Sequence, residues 1–202
     1  MTQSTVTQED CMALMARYPD KYFDLAVVDP PFGLGEKLTN GGTWAAKYSK
    51  ADSVWDKAPE SNYFQQLFRV SKNQIIWGGN YFALPSTRCF LIWDKVAHMD
   101  TLADCEFAWT SFDRNAKIFK HVRNTSESRI HICQKPVKLY DWIFKNYAKE
   151  GDKILDTHLG SGSSRISAFK AGLDFTACEL DPDYFAAQEK RFKEFTAQIR
   201  MF

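Results

Sequence analysis

Between residues 153 and 195 the chain twice alternates a short apolar run with a segment of helical spacing, and this alternation limits the possible folds more than any other feature. Lys153 to Asp156 (K-I-L-D) reads as a strand, Ser163 to Lys170 as a helix, Phe175 to Glu179 (F-T-A-C-E) as a second strand, and Asp183 to Phe195 as a closing helix. Apolar strands separated by helices cannot be joined by hairpins. They lie parallel, in a sheet covered on both faces. Upstream, Tyr22 to Asp29 (Y-F-D-L-A-V-V-D) is a buried-type strand that halts at Pro30 and Pro31. Asn62 to Lys72 has helical spacing in Phe64, Leu67, Phe68 and Val70, and Gln74 to Trp77 is a strand stopped by Gly78 and Gly79. Cys89 to Trp93 and Cys105 to Ser111 read as strands, Val137 to Tyr147 as an amphipathic helix, and residues 7–18 as a short helix ended by Pro19.

With 202 residues, 45% of them hydrophobic and 25% charged, the chain can bury one sizeable core, and it has no repeat or low-complexity linker, so a single domain over 1–202 is expected. A formal charge of +1 leaves any anionic partner to local basic patches. The five scattered cysteines form no C-x-x-C pair and read as small core residues in a reducing compartment, not as metal ligands. No apolar run approaches the length of a membrane span and the N-terminus has no leader pattern, so a cytoplasmic protein with no membrane partner is expected.

Two stretches carry chemistry. In I-L-D-T-H-L-G-S-G-S-S-R, residues 154–165, a strand ends in Asp156, Gly160 and Gly162 allow a tight turn, and a helix begins with its partly positive N-terminus facing the gap. This suits a nucleotide-like ligand, and Glu179 ends the next strand, where a carboxylate can take both ribose hydroxyls. Arg165 stands where a dinucleotide fingerprint needs its third glycine, which disfavours a nicotinamide oxidoreductase.

The other stretch is D-P-P-F, Asp29 to Phe32. An exocyclic aromatic amine is a poor nucleophile because its lone pair is delocalised into the ring. Two acceptors holding its two hydrogens draw the nitrogen toward tetrahedral geometry and free the pair. Asp29 offers a carboxylate oxygen and Pro30 a carbonyl, proline fixes the chain so that they converge, and Phe32 can stack on an extruded base. On residue types alone, a proline-terminated strand with Asp as a turn former reads equally well.

Taken in order, D-P-P-F, H-I-C-Q-K-P-V-K-L, D-T-H-L-G-S-G-S-S and E-L-D-P-D-Y-F resemble the DNA amino-methyltransferases, which methylate adenine N6 or cytosine N4 from S-adenosylmethionine. With D-P-P-F ahead of the cofactor loop, the chain looks like the beta-ordered, circularly permuted class, and W-G-G-N-Y-F with F-L-I-W-D-K is similar to compact methylases of phages and mobile elements. The resemblance implies a Rossmann-like class I α/β fold with a mostly parallel seven-stranded sheet and one antiparallel strand. It also implies a catalytic face of Asp29, Pro30, Pro31 and Phe32, and a cofactor site of Asp156, His158, Gly160, Ser161, Gly162 and Glu179, with Gln134 and Lys135 at the cofactor's carboxylate end. His158 reads as a loop residue of that pocket and not as a base. Thr157 and His158 after Asp156, and His131-Ile132-Cys133 before Q-K-P, depart from the family's usual residues.

The polar segment 33–60 reads as a loop over the target base, its Trp44, Tyr48 and Trp55 interleaved with Lys37, Lys47, Lys50 and Lys57, and residues 112–130 as a short variable DNA-contacting segment with Lys117, Lys120, His121, Arg123 and Arg129 on phosphates, a solvated charged face being the alternative. DNA is the implied partner, and homodimers are common in such a family. Adenine is the expected base, because the family's cytosine enzymes more often carry Ser at the place of Asp29. A non-catalytic nucleic-acid-binding relative is the rival from another class, disfavoured by intact Asp29-Pro30-Pro31 beside intact Gly160 and Gly162.

Overall fold

The computed structural model describes residues 2–34, 57–96, 103–122, 130–131 and 133–199. One sheet organises them. Its strands are β1 (Ser4–Gln8), β2 (Phe23–Val28), β3 (Ser71–Trp77), β4 (Phe90–Asp94), β5 (Cys105–Thr110), β6 (Lys117–Lys120), β7 (Lys153–Asp156) and β8 (Asp174–Glu179), in the spatial order β1-β8-β7-β2-β3-β5-β4-β6. Every pairing is parallel except those of β5, which runs against both β3 and β4. The sheet therefore has eight strands where seven were expected, and β5 is the single antiparallel one.

The helices are α1 (Cys11–Ala16), α2 (Ser61–Val70), α3 (Val137–Tyr147), α4 (Ser163–Lys170) and α5 (Pro182–Ile199). Central strands are buried on both faces, which explains their unbroken apolar runs. Leu25 and Val27 of β2, with Ile75 and Trp77 of β3, join Leu139, Ile143 and Phe144 of α3 in one core. The alternate residues Ala26, Val28 and Ile76 join Leu14 and Met15 of α1 and Tyr63, Phe64 and Leu67 of α2 in the other. Burying a side chain of that size contributes about 1.5–3 kcal/mol, so the layers fix the strand ends firmly.

Residues 7–18 were expected to be helical throughout. The chain instead spends Ser4–Gln8 on edge strand β1, which pairs with β8 from Ser4 opposite Phe175 to Gln8 opposite Glu179, and α1 begins only after Asp10, whose carboxylate caps the amides of Met12 and Ala13. A Thr- and Ser-rich strand bound chiefly through its backbone leaves little apolar period to read. The segment 112–130, for which no strand was expected, holds β6 on the opposite edge.

From β2 the chain proceeds to β3 on one side, whereas β7, on the other side of β2, proceeds to β8. The sheet order thus reverses between β2 and β7. Ligands of open α/β sheets bind outside the strand C-termini at such a switch point. Asp156 ends β7 and Asp29 directly follows β2, so chain segments 127 residues apart in sequence meet there.

Candidate active site

At this end of the sheet lies a cleft of about 1230 Å³, lined among others by Asp29 to Phe32, Tyr81, Glu106, Lys135, His158 to Ser161 and Glu179. Single drug-sized ligands need about 300–1,000 Å³. The cleft has room for a nucleoside cofactor and an extruded base together.

The residues expected to form a catalytic face, Asp29 to Phe32, follow directly on the end of β2. The Lys135 ammonium, 3% exposed, forms an ion pair with Oδ2 of Asp29 and lies 3.2 Å from Oε2 of Glu106 on β5. Oδ1 of Asp29 is buried and accepts no hydrogen bond from the described residues. Burial pushes the Asp29 carboxyl up from its usual range, opposed by Lys135 and reinforced by Glu106. Glu106, with cations on both sides, is held down to about 2 despite its burial. Sequence reasoning put Lys135 at the cofactor's carboxylate end; here two carboxylates of the protein itself take its charge. The ion pair needs both ends of the chain folded together, and Q-K-P alone does not announce it.

Phe32 stacks on Tyr81 at 5.1 Å between ring centroids and 21° between planes, with the edge of Phe82 at 6.3 Å. Gly78 allows this placement. Its φ is +67°, and a Cβ there would stand 2.1 Å from Cε1 of Phe32. The glycines that end β3 are thus more than strand stops.

Of the residues expected at a cofactor, Asp156, His158, Gly160, Ser161 and Gly162 lie at the end of β7 and on the loop to α4. Asp156 is buried, its Oδ1 accepting from the His158 amide at 3.1 Å and its Oδ2 from the Ser164 hydroxyl at 2.6 Å. Burial, with Asp29 and Glu179 adding negative charge nearby, raises its carboxyl to about 7. His158 is pushed down to about 4 by burial, and its Nδ1 lies 3.0 Å from the Thr157 hydroxyl, which also meets the Tyr63 hydroxyl at 2.7 Å. An imidazole of such low basicity, already hydrogen-bonded, suits a wall better than a base. Glu179 at the end of β8 accepts from the amides of Gly160 at 2.7 Å and Asp181 at 3.0 Å. Gly160 and Gly162 have φ of +53° and +72°; a Cβ on Gly162 would crowd Gln188 at 3.2 Å, while one on Gly160 would meet only the His131 ring at 3.5 Å. Ser161 is buried, its hydroxyl 3.2 Å from that of Ser163 and its carbonyl accepting from Arg191. Gln134 accepts from the Ile130 amide at 3.1 Å. Arg165, in place of a fingerprint glycine, donates to Ser4, Gln188 and Glu189, tying α4 to β1 and α5.

Glu9, Asp10, Cys11 and Met12 also line the cleft, and sequence reasoning missed them because it missed β1, whose C-terminal end delivers them. Of the expected DNA contacts, Lys117 and Lys120 are exposed on β6, with Lys120 3.9 Å from Asp94. Lys37, Lys47, Lys50, Arg123 and Arg129 lie outside the described residues, as does nearly all of the expected target-base loop. No cluster of three or more metal-ligating side chains occurs among the described residues.

Comparison with known proteins identifies the family and the fold. The DNA methylase family matches residues 53–190, a span that includes the loop after β7 but not the Asp29 motif. The type II methyltransferase M.HinfI of Haemophilus influenzae is 22% identical over 249 residues, covering 95% of this chain and 68% of its own. Among solved structures, the M1.HpyAVI–SAM complex superposes with a TM-score of 0.62 at 16% identity over 95% of this chain and 99% of its own. The cytosine-N4-specific PvuII DNA methyltransferase superposes with 0.65 at 14% identity over 97% and 92%. The chain belongs to the DNA methylase family, the S-adenosylmethionine-dependent DNA amino-methyltransferases, and has their class I fold.

The cleft suits that cofactor chemically. S-Adenosylmethionine carries a sulfonium and an ammonium, and the lining offers Glu9, Asp10, Glu179 and Asp181 beside the glycine turn. A side chain at Gly160 would stand against the His131 ring, itself part of the cleft lining.

Proposed function

We propose that the protein methylates the N6 amino group of adenine in DNA, with Asp29, Pro30 and Phe32 as the groups that meet the base. The observation that carries this reading is the Asp29 carboxylate, with one oxygen held by Lys135 and the other, Oδ1, buried without a partner among the described residues. A buried unsatisfied acceptor costs about 1–3 kcal/mol, and an incoming amine hydrogen would relieve that cost.

Oδ1 accepts one amine hydrogen and the Pro30 carbonyl the other, which frees the nitrogen lone pair. The face of Phe32, fixed by Tyr81 and by the missing side chain of Gly78, supports the extruded base. When bound, S-adenosylmethionine supplies an electrophilic methyl group. Holding the amine in line with it provides most of the catalysis, because proximity and orientation can remove about 7–11 kcal/mol of a barrier. The proton released by the methylated nitrogen leaves to Oδ1 of Asp29, whose basicity burial has raised, or to water. Asp156, Gly160, Ser161, Gly162 and Glu179 shape and line the cofactor half, with the Glu179 carboxylate on the ribose; Lys117 and Lys120 contact phosphates.

The reading includes a second copy of the chain as a partner and a cytoplasmic site of action; among the described residues no helix is long and apolar enough to cross a membrane. Cytosine N4 is the second reading, supported by the likeness to the PvuII enzyme. The test is to incubate the protein with unmethylated DNA and labelled S-adenosylmethionine, digest to nucleosides and identify the labelled one. Label in N6-methyldeoxyadenosine is expected, and label in N4-methyldeoxycytidine overturns the choice of base.

A further inference from the structure

Asp29 is one end of a chain of four alternating charges. Beyond Lys135 stands Glu106, and beyond Glu106 the ammonium of Lys95, 2.8 Å from Oε1, on a side chain only 5% exposed. Lys95 directly follows β4, and its amide donates to the Asp104 carbonyl, which fixes the register beside Glu106. Glu106 reaches the cleft because β5 runs against its neighbours, so that the start of the strand, and not its end, meets the C-termini of β2, β3 and β4. The antiparallel strand thus delivers a carboxylate to the site.

A purely structural role explains this arrangement poorly. Removing charges from water costs several kcal/mol per ion, and well-packed apolar side chains of similar volume serve stability as well or better. A network built for stability would also satisfy both oxygens of Asp29, yet Oδ1 has no partner among the described residues. With Glu106 in place, Lys135 is drawn toward one side and engages Oδ2 alone. Without that charge the ammonium keeps the Trp77 and Phe32 rings at 5.2 and 5.9 Å but loses the pull away from Oδ1, and it can move to bridge both Asp29 oxygens and occupy the acceptor the amine needs.

We propose that Glu106 and Lys95 are positioning residues for methyl transfer: Lys95 holds Glu106, Glu106 holds Lys135, and Lys135 fixes the Asp29 carboxylate with Oδ1 left for the target amine. The inference rests on reading Asp29 as the group that receives that amine. Neither residue touches the reacting atoms, so their loss should reduce turnover while leaving both ligands bound.

The test compares Glu106→Gln, Lys95→Met and the double variant with the parent enzyme in single-turnover methylation, each normalised to active sites by burst titration, with calorimetric affinities for S-adenosylmethionine and DNA. Glu106→Gln is expected to slow the single-turnover rate about 10- to 100-fold with both affinities within about threefold of the parent. Lys95→Met should cost less, and the double variant should be no slower than Glu106→Gln, because both residues act through Lys135. A parent-like rate in Glu106→Gln overturns the proposal, as does a loss that disappears on normalisation to active sites or appears only as weaker DNA affinity. Asp29→Ala, assayed alongside, separates the two claims: turnover retained there defeats the reading of Asp29 itself, whereas an inactive Asp29→Ala beside a parent-like Glu106→Gln defeats only the positioning network.

Discussion

Lys135 pairs with one oxygen of Asp29 and leaves the other buried without a partner among the described residues. The two residues come from opposite sides of the fold, one from the turn before α3 and one from the end of β2. The site exists only when the sheet is complete, so activity and folding should be lost together on denaturation.

The close approach of Phe32 to Gly78 gives a prediction independent of charge. Gly78→Ala puts a Cβ 2.1 Å from the Phe32 ring at a φ of +67°, so the ring must move. Turnover should fall at least about tenfold with cofactor affinity within about twofold, and stability should drop by about 1–3 kcal/mol from the strained backbone. Single-turnover assays, calorimetry and a denaturant titration check the three parts.

On the cofactor side, Glu179→Ala removes the acceptor of two loop amides as well as the expected ribose partner. Hydrogen bonds to a charged group contribute about 1.5–3 kcal/mol, so the dissociation constant for S-adenosylmethionine should rise about 10- to 150-fold. Gly160→Val should weaken binding too, because a branched side chain must push against the His131 ring at a φ of +53°. Parent-like affinity in both variants by calorimetry would place the cofactor elsewhere.

Much of this was legible in the sequence for a physical reason. Lys153–Asp156 occurs as expected because an apolar run records burial directly, Val137–Tyr147 shows its period in Leu139, Ile143 and Tyr147, and Ser163–Lys170 was marked by the glycine turn before it rather than by its own spacing, since Ser163 to Ala168 are all buried. The edge strands β1 and β6 were not legible, since each pairs on one side only, β1 is mostly polar and β6 sets only Ile118 and Phe119 between two lysines. The glycine turn and D-P-P-F could be found locally. The contact of Lys135 with Asp29, and Glu106 behind it, depend on strand order and on the reversal of β5, which no local spacing encodes.

Asp156 gives a pH dependence. Its carboxyl is raised to about 7 by burial, against about 3.9 in an unfolded chain. Between those values the folded state holds the extra proton, so this group's contribution to stability is fully present below about pH 4 and is lost as pH rises through about 7. Asp156→Asn, which keeps an acceptor for the His158 amide, should flatten this part of the profile and gain stability relative to the parent at pH 8 by at least about 1 kcal/mol. Thermal melts from pH 5 to 8 check it, and a parent-like slope in the variant would assign the dependence to other groups.

The central claim is that Oδ1 of Asp29 receives the target amine, and single-turnover methylation by Asp29→Ala tests it most directly, with calorimetric cofactor affinity measured on the same preparation. Glu106 remains to balance Lys135 in that variant, so the fold should survive. The rate should fall by at least about 10³-fold, several kcal/mol of lost orientation at the transition state, with the dissociation constant for S-adenosylmethionine within a few-fold of the parent. A rate within about tenfold of the parent, or a loss matched by weaker cofactor binding, would contradict the account.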